Sequence, residues 1–247
     1  MIVKAIEQLE KADIEALISQ EVSEGRTIEY KEALPGSADS DRKEFLADVA
    51  SFANAAGGHL IYGMRERRVA EKTSGVAEAA LGLARINLDQ EVPRLQDMIR
   101  TGIEPTIVGV QVREFPGFPE GPIIVLQIPK SWAAPHMVTY KGHDRFYTRD
   151  ARGKHPLDVH EIRAAFALSE SLPERIRRFR ADRIPQIVAG ETPLPVPRSP
   201  KIVLHLLPIA ALDPSTRLDV APLATGSALK PCSQASLHER LGCSTQL

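Results

Sequence analysis

The chain has 247 residues, 43% hydrophobic and 26% charged, with a formal net charge of −1. That length suffices for a domain burying roughly 70–75% of its surface without staples, and its near-zero charge makes no global case for a polyanionic partner. Cys232 and Cys243 form no disulfide framework and, with His238, no zinc spacing, no apolar run reaches membrane-spanning length, and the charged N-terminus is no signal peptide, so a cytoplasmic protein is expected.

Residues 1–32 hold eight acidic residues against Lys4, Lys11, Arg26 and Lys31. Ile6, Leu9, Ile14, Leu17 and Ile18 fall near helical spacing and predict a helix or two short ones. TIEYKEAL predicts a strand with Thr27, Glu29 and Lys31 on one face and Ile28 and Tyr30 on the other. Asp39, Ser40 and Asp41 can cap the following helix, whose core face is Phe45, Leu46, Val49, Phe52 and Ala53. Gly57 is expected in a left-handed helix cap, Asn54 to bond that adjacent turn, and HLIYGM to form a buried strand. Gly57-Gly58 follows a helix rather than preceding one, so it reads as a turn and not as a phosphate cradle.

Arg65 to Leu88 reads as a variable excursion. VPRLQDMIRTGI predicts a helix with Pro93 in its first turn. Thr106–Phe115 and Pro122–Ile128 predict a hairpin, and YKGHDRFYTRDA a second one turning near Gly142. Asp158 and Glu161 form a capping pattern for a closing helix. ERIRRFRADRI is Arg-rich, GETPLPVPRSP is a proline-rich linker, and KIVLHLLPIAAL reads as one apolar strand. The expected organisation is an α/β (α+β) domain over residues 1–172, an Arg-rich helix and Pro-rich linker over 173–200, and a short C-terminal segment over 201–247 that does not read as a complete second domain. The domain is expected to be a mixed sheet with packed helices.

Glu29 and Lys31 lie about 6–7 Å apart on one strand face. Glu24 stands just before them. Carboxylates gathered beside a lysine are what a hard divalent metal and phosphodiester cleavage require. The alternative is an exposed edge-strand ion pair of little consequence. His136, His143, His155 and His160 show no metal-ligand spacing.

Glu24-x4-Glu29-Tyr30-Lys31, then Phe52-Ala53-Asn54-x-x-Gly57-Gly58-x-Leu60-Ile61-x-Gly63, resembles the Schlafen AlbA-2 domain family. Phe146-Tyr147-x-Arg149, Pro156 and Glu161-Ile162 extend the resemblance, which covers about residues 10–170. The resemblance implies a nucleic-acid-binding module, acting on DNA or RNA, with a homodimer standing in for a two-lobed clamp. It places binding on Arg65, Arg67, Arg68, Lys141, Arg145, Arg149, Arg152 and Lys154, with Tyr140, Phe146 and Tyr147 available to stack on bases. Binding itself calls for no cofactor. A second reading is a nuclease with Glu24, Glu29, Lys31 and Glu66 catalytic and Glu24, Glu29 and Glu66 holding Mg²⁺ or Mn²⁺. There the chain departs from the family pattern, since Arg65, Arg67 and Arg68 flank Glu66. The remaining readings are a protein–protein scaffold and an ATP-binding regulatory protein; no nucleotide-loop motif supports the latter.

Overall fold

In the computed structural model the described residues are 2–191 apart from 3, 70 and 71. The linker after Glu191, the 201–212 strand, Cys232, His238 and Cys243 lie outside them. The chain divides into two units, Met1–Ser171 and Leu172–Leu247.

The first unit runs in the order α1 (Lys11–Ser19), β1 (Ile28–Lys31), α2 (Asp39–Asn54), β2 (Gly57–Tyr62), β3 (Met64–Val69), β4 (Lys72–Ala80), α3 (Leu88–Gly102), β5 (Ile103–Glu104), β6 (Gln111–Phe115), β7 (Ile123–Pro129), β8 (Met137–Tyr140), β9 (His143–Asp150) and β10 (Gly153–Pro156). α4 (Val159–Ala189) starts in this unit, and its residues from Leu172 belong to the second.

The central sheet has the order β1-β2-β7-β6. It is mixed: β1 and β2 are parallel, joined through α2, while β2–β7 and β7–β6 are antiparallel. Strand alternation decides what each face buries. Leu60, Tyr62, Ile124, Leu126 and Ile128 join Phe45, Val49 and Phe52 of α2 and Leu95 and Ile99 of α3 in one core. Ile28, Tyr30, Ile61, Ile123 and Val125 face a second core with Ile14 and Leu17 of α1, Met64 of β3 and Ala77 of β4. A second sheet, β10-β9-β8-β5, lies beside α2, and β3–β4 form a separate hairpin. The chain is therefore a mixed α/β protein, and among the described residues no helix is long and apolar enough to cross a membrane.

Several local expectations are corrected. The Arg65–Leu88 excursion is largely the β3–β4 hairpin. Its register slips at Arg65/Glu66 and Glu66/Arg68, which breaks the strict alternation that would have announced two strands. α3 begins at Leu88, so Pro93 lies inside the helix and not in its first turn. Buried Leu95, Ile99 and Gly102 outweigh the one backbone bond that proline forgoes. β6 starts at Gln111, because Gly109 takes a positive φ of 85° before it. The cap of α2 is Ala38, since Asp39 instead accepts bonds from Tyr140 and Lys141. The closing helix and the Arg-rich segment are one element, α4, which holds Pro173 and Pro185.

Other readings hold. Asp158 and Glu161 exchange backbone bonds of 2.8 and 2.9 Å at the start of α4. β8 and β9 turn through Lys141 and Gly142, both at positive φ (48° and 72°), the geometry of a two-residue hairpin loop.

Candidate functional site

The exposed-side alternation of β1 turns Glu29 and Lys31 toward α2 and β9 rather than toward solvent. The Glu29 side chain is 13% exposed. One carboxylate oxygen accepts from Lys31 Nζ at 2.9 Å, and the other accepts from Arg149 Nη2. Arg149 comes from β9, and its side chain is fully buried. Its guanidinium lies 3.8 Å from the centroid of the Phe52 ring, so α2 supplies the face on which the cation rests.

Asp48, one turn before Phe52 on α2, is 1% exposed. Lys154 Nζ of β10 stands 2.8 Å from one oxygen and Lys31 Nζ 3.8 Å from the other. Glu44 is nearer the surface and meets Lys31 at 3.3 Å and Lys154 at 4.0 Å. Three carboxylates thus face three cations. Burial pushes the Asp48 carboxyl up, against the Lys154 and Lys31 charges. Burial also works against ionised Glu29, but Lys31 and Arg149 outweigh it and hold this carboxyl below its usual range. Burial opposes the Lys31 charge too, and Asp48 and Glu29 overcome it, so Lys31 is raised.

Glu24 precedes β1. Its Oε1 accepts from the Tyr30 N–H at 2.6 Å, and its own N–H donates to the Gly75 carbonyl at 2.6 Å. The Gly75 N–H donates in turn to Glu66 Oε2 at 3.2 Å. The β3–β4 hairpin therefore brings Glu66 to the Glu24 end of β1. Burial pushes the Glu24 carboxyl up to about 7, and the Glu29 and Glu66 charges add to that rise. The bond from Tyr30 and the charge of Lys31 oppose it.

A carboxyl raised in the folded state holds its proton there more tightly than in the unfolded chain. Its stabilising contribution is present at low pH and is lost as pH rises from about 4.5 through about 7. Glu24→Gln keeps the acceptor for Tyr30 without the charge. At pH 8 this variant is expected to be more stable than wild type by about 1–2 kcal/mol, after discounting for solvent screening, and the gain should vanish near pH 4. Urea midpoints across that range check it; an unchanged difference at both ends contradicts the assignment.

The three glutamates expected at a metal centre thus gather around β1 but have other partners. Both Glu29 oxygens face cations, and one oxygen each of Glu24 and Glu66 accepts from backbone. Among the described residues no three His, Cys, Asp or Glu are grouped to hold a metal ion. Lys31 and Arg149 thus engage both oxygens of Glu29, while Glu24 and Glu66 each keep one oxygen that no backbone N–H engages.

The expected binding residues separate into three kinds. Arg149 and Lys154 lie inward, neutralising Glu29 and Asp48. Arg65, Arg67 and Lys141 make exposed pairs with Glu32 (3.1 Å), Glu21 (2.8 Å) and Asp39 (2.8 Å). Arg68, Arg145 and Arg152 are exposed and have no side-chain partner among the described residues. Arg26 joins this last set, although in the sequence it sits in an acidic stretch. A Cβ on neighbouring Gly25 would lie 3.8 Å from the Ala151 carbonyl, which brings Arg26 and Arg152 to one end of β1. Of the aromatic residues expected to stack on bases, Phe146 packs edge-on against Phe166, and the Tyr147 hydroxyl bonds His143.

Asn54 does not bond its own turn. Its amide nitrogen donates to the carbonyls of His136 (2.9 Å) and Tyr147 (2.8 Å), and its oxygen accepts from the His136 N–H (2.7 Å). This side chain fastens α2 to the neighbourhood of β8 and β9, the sheet that delivers Arg149.

Comparison with curated proteins gives no match. Solved structures that match include the solution structure of the N-terminal domain of an ATP-dependent DNA helicase RecG-related protein from Nitrosomonas europaea. It is 20% identical, with a TM-score of 0.35, over 47% of this chain and 71% of that one. The family model described as Schlafen, AlbA_2 matches residues 24–158, which span β1 through β10 and every residue of the Glu29–Arg149 and Asp48–Lys154 network, and the chain belongs to this family.

Proposed function

We propose that this lobe binds a nucleic-acid strand through phosphate contacts made by Arg26, Arg68, Arg145 and Arg152. Family membership supports a nucleic-acid-related role. The observation that carries the finer reading is that these four arginines are exposed and lack side-chain partners among the described residues, while the inward cations are already matched by carboxylates. An unpaired surface guanidinium offers a phosphate its full hydrogen-bonding fork. Arg65, Arg67 and Lys141 add to the field, since exposed ion pairs are weak enough to exchange for phosphate.

Binding of this kind releases counterions, so affinity for a labelled single strand should fall steeply between 50 and 200 mM salt. The double variant Arg26→Ala/Arg152→Ala should lower the salt slope by about 1–2 and weaken binding at low salt by about 10-fold. Fluorescence anisotropy across salt measures both. Affinity indifferent to salt, or unchanged in the double variant, removes the proposal. In this reading the lobe acts as a homodimer. Sedimentation velocity with and without the strand tests that part, and a monomer in both states removes the dimer alone.

A further inference from the structure

α4 bears an apolar stripe that the fold leaves open. Val159, Phe166, Ile176, Ile184 and Val188 are 46–82% exposed, and they are five of the six large hydrophobic side chains exposed among the described residues. Exposed apolar surface is therefore concentrated on one element. At about 100° per residue these five fall within an arc of about 120°, so they share one face of the helix. Phe166 meets Phe146 only edge-on, with ring centroids 6.0 Å apart.

Local preference does little to hold α4 together. Pro173 and Pro185 lie inside its 31 residues, and an interior proline removes a backbone bond and crowds the preceding turn. A helix of this kind persists through packing rather than propensity. A contiguous apolar face left in water on such a helix points to a partner that covers it.

The charges on α4 say which partner fits. From Val159 to Glu174 the helix holds Glu161, Glu170 and Glu174 against Arg163. From Arg175 to Ala189 it holds five arginines against Asp182. The first half is acidic and the second strongly basic. A second copy laid antiparallel sets each acidic half against a basic half, whereas a parallel copy stacks basic on basic. The intrahelical pair Glu174–Arg177, at 3.6 Å, is well exposed, and such pairs are weak enough to exchange for a partner's charge.

We infer that α4 is a self-association surface, on which two copies of the chain pair antiparallel about the Glu174 midpoint and bury the stripe. The contact is isologous, so one twofold axis closes it as a dimer and leaves no open face for further copies. The inference rests on the homodimer part of the reading above and names its interface.

The test uses the full chain in sedimentation velocity over a concentration series, with circular dichroism to confirm that each variant keeps its fold. Wild type should dimerise, and Ile184→Asp/Val188→Asp should raise the dimer dissociation constant at least 10-fold. Arg177→Glu/Arg180→Glu and Glu170→Arg/Glu174→Arg should each weaken the dimer, and an equimolar mixture of these two variants should regain it. A dimer strengthened by Arg177→Glu/Arg180→Glu would mean a parallel pair and overturn the inference. A dimer that survives Ile184→Asp/Val188→Asp unchanged overturns it as well, while the homodimer itself stands. A chain that stays monomeric to about 100 μM removes both, and salt-dependent strand binding by that monomer would leave the phosphate contacts untouched. A monomer that binds vesicles of anionic lipid, and loses them in Ile184→Asp/Val188→Asp, gives the stripe to a membrane surface and also overturns the inference.

Discussion

Arg149→Ala is expected to destabilise the first unit by about 3–5 kcal/mol, the largest effect of any single change to a charged residue here. The guanidinium is fully buried, bonds one oxygen of Glu29 and covers the Phe52 ring. Truncation leaves Glu29 facing Lys31 alone and opens a void over an aromatic face. Breaking one partner of a buried pair is costly because the other charge stays behind, whereas replacing both by groups of similar shape is often near neutral. The double variant Glu29→Gln/Arg149→Met should therefore recover much of the loss. Urea denaturation of wild type, Glu29→Gln, Arg149→Met and the double variant measures the coupling, with Arg149→Ala beside them. A cost under about 1 kcal/mol for Arg149→Ala would show that the pair is solvated and the buried network incorrectly assigned. The same series bears on the cleavage reading: loss of Glu29 should appear as loss of stability rather than as selective loss of a metal-dependent activity.

Gly58→Ala is expected to cost about 3 kcal/mol or more. A Cβ there would stand 2.5 Å from the Thr27 carbonyl and 2.5 Å from the Phe52 ring. The carbonyl is backbone: Thr27 accepts the His59 N–H at 2.9 Å as β1 joins β2. The Phe52 ring is fully buried, with Arg149 nearby on its face. Neither neighbour can move without disturbing a strand pairing or the Arg149 stack. Thermal unfolding of Gly58→Ala against Gly142→Ala separates crowding from flexibility. Gly142 has open space around it, and its positive φ makes only the loop strain felt. Comparable losses in the two variants would contradict the packing account.

These two positions show how the FAN-x-x-GG block works as a unit. Phe52 is the plate on which Arg149 rests, Asn54 fastens the neighbourhood of β8 and β9 that carries it, and Gly58 lets β2 pass close to that plate. The sequence displays the block but not its object, because Arg149 lies nearly a hundred residues away. The same limit explains the binding residues. Local pattern reports that Arg149 and Lys154 are basic and follow a turn. It does not report that strand alternation points them at Glu29 and Asp48. Arg26 was hidden for the converse reason: its acidic neighbours in sequence are not its neighbours in space.

Sequence by itself determined the mixed α/β class, the alternation of β1, the core face of α2, the hairpins β6–β7 and β8–β9 and the start of α4. Each depends on residues within one or two turns of chain, where periodicity, glycine conformation and capping act. Tertiary structure alone decided the fate of the charges. Whether a carboxylate is free for a metal or a guanidinium free for a phosphate depends on what the fold sets within 3–4 Å of it. Burial then amplifies each such pairing by removing the water that would screen it. That is why Glu29, the residue in the sequence best suited to metal chemistry, sits between Lys31 and Arg149, and why exposed Arg26 and Arg152 have no side-chain partner among the described residues.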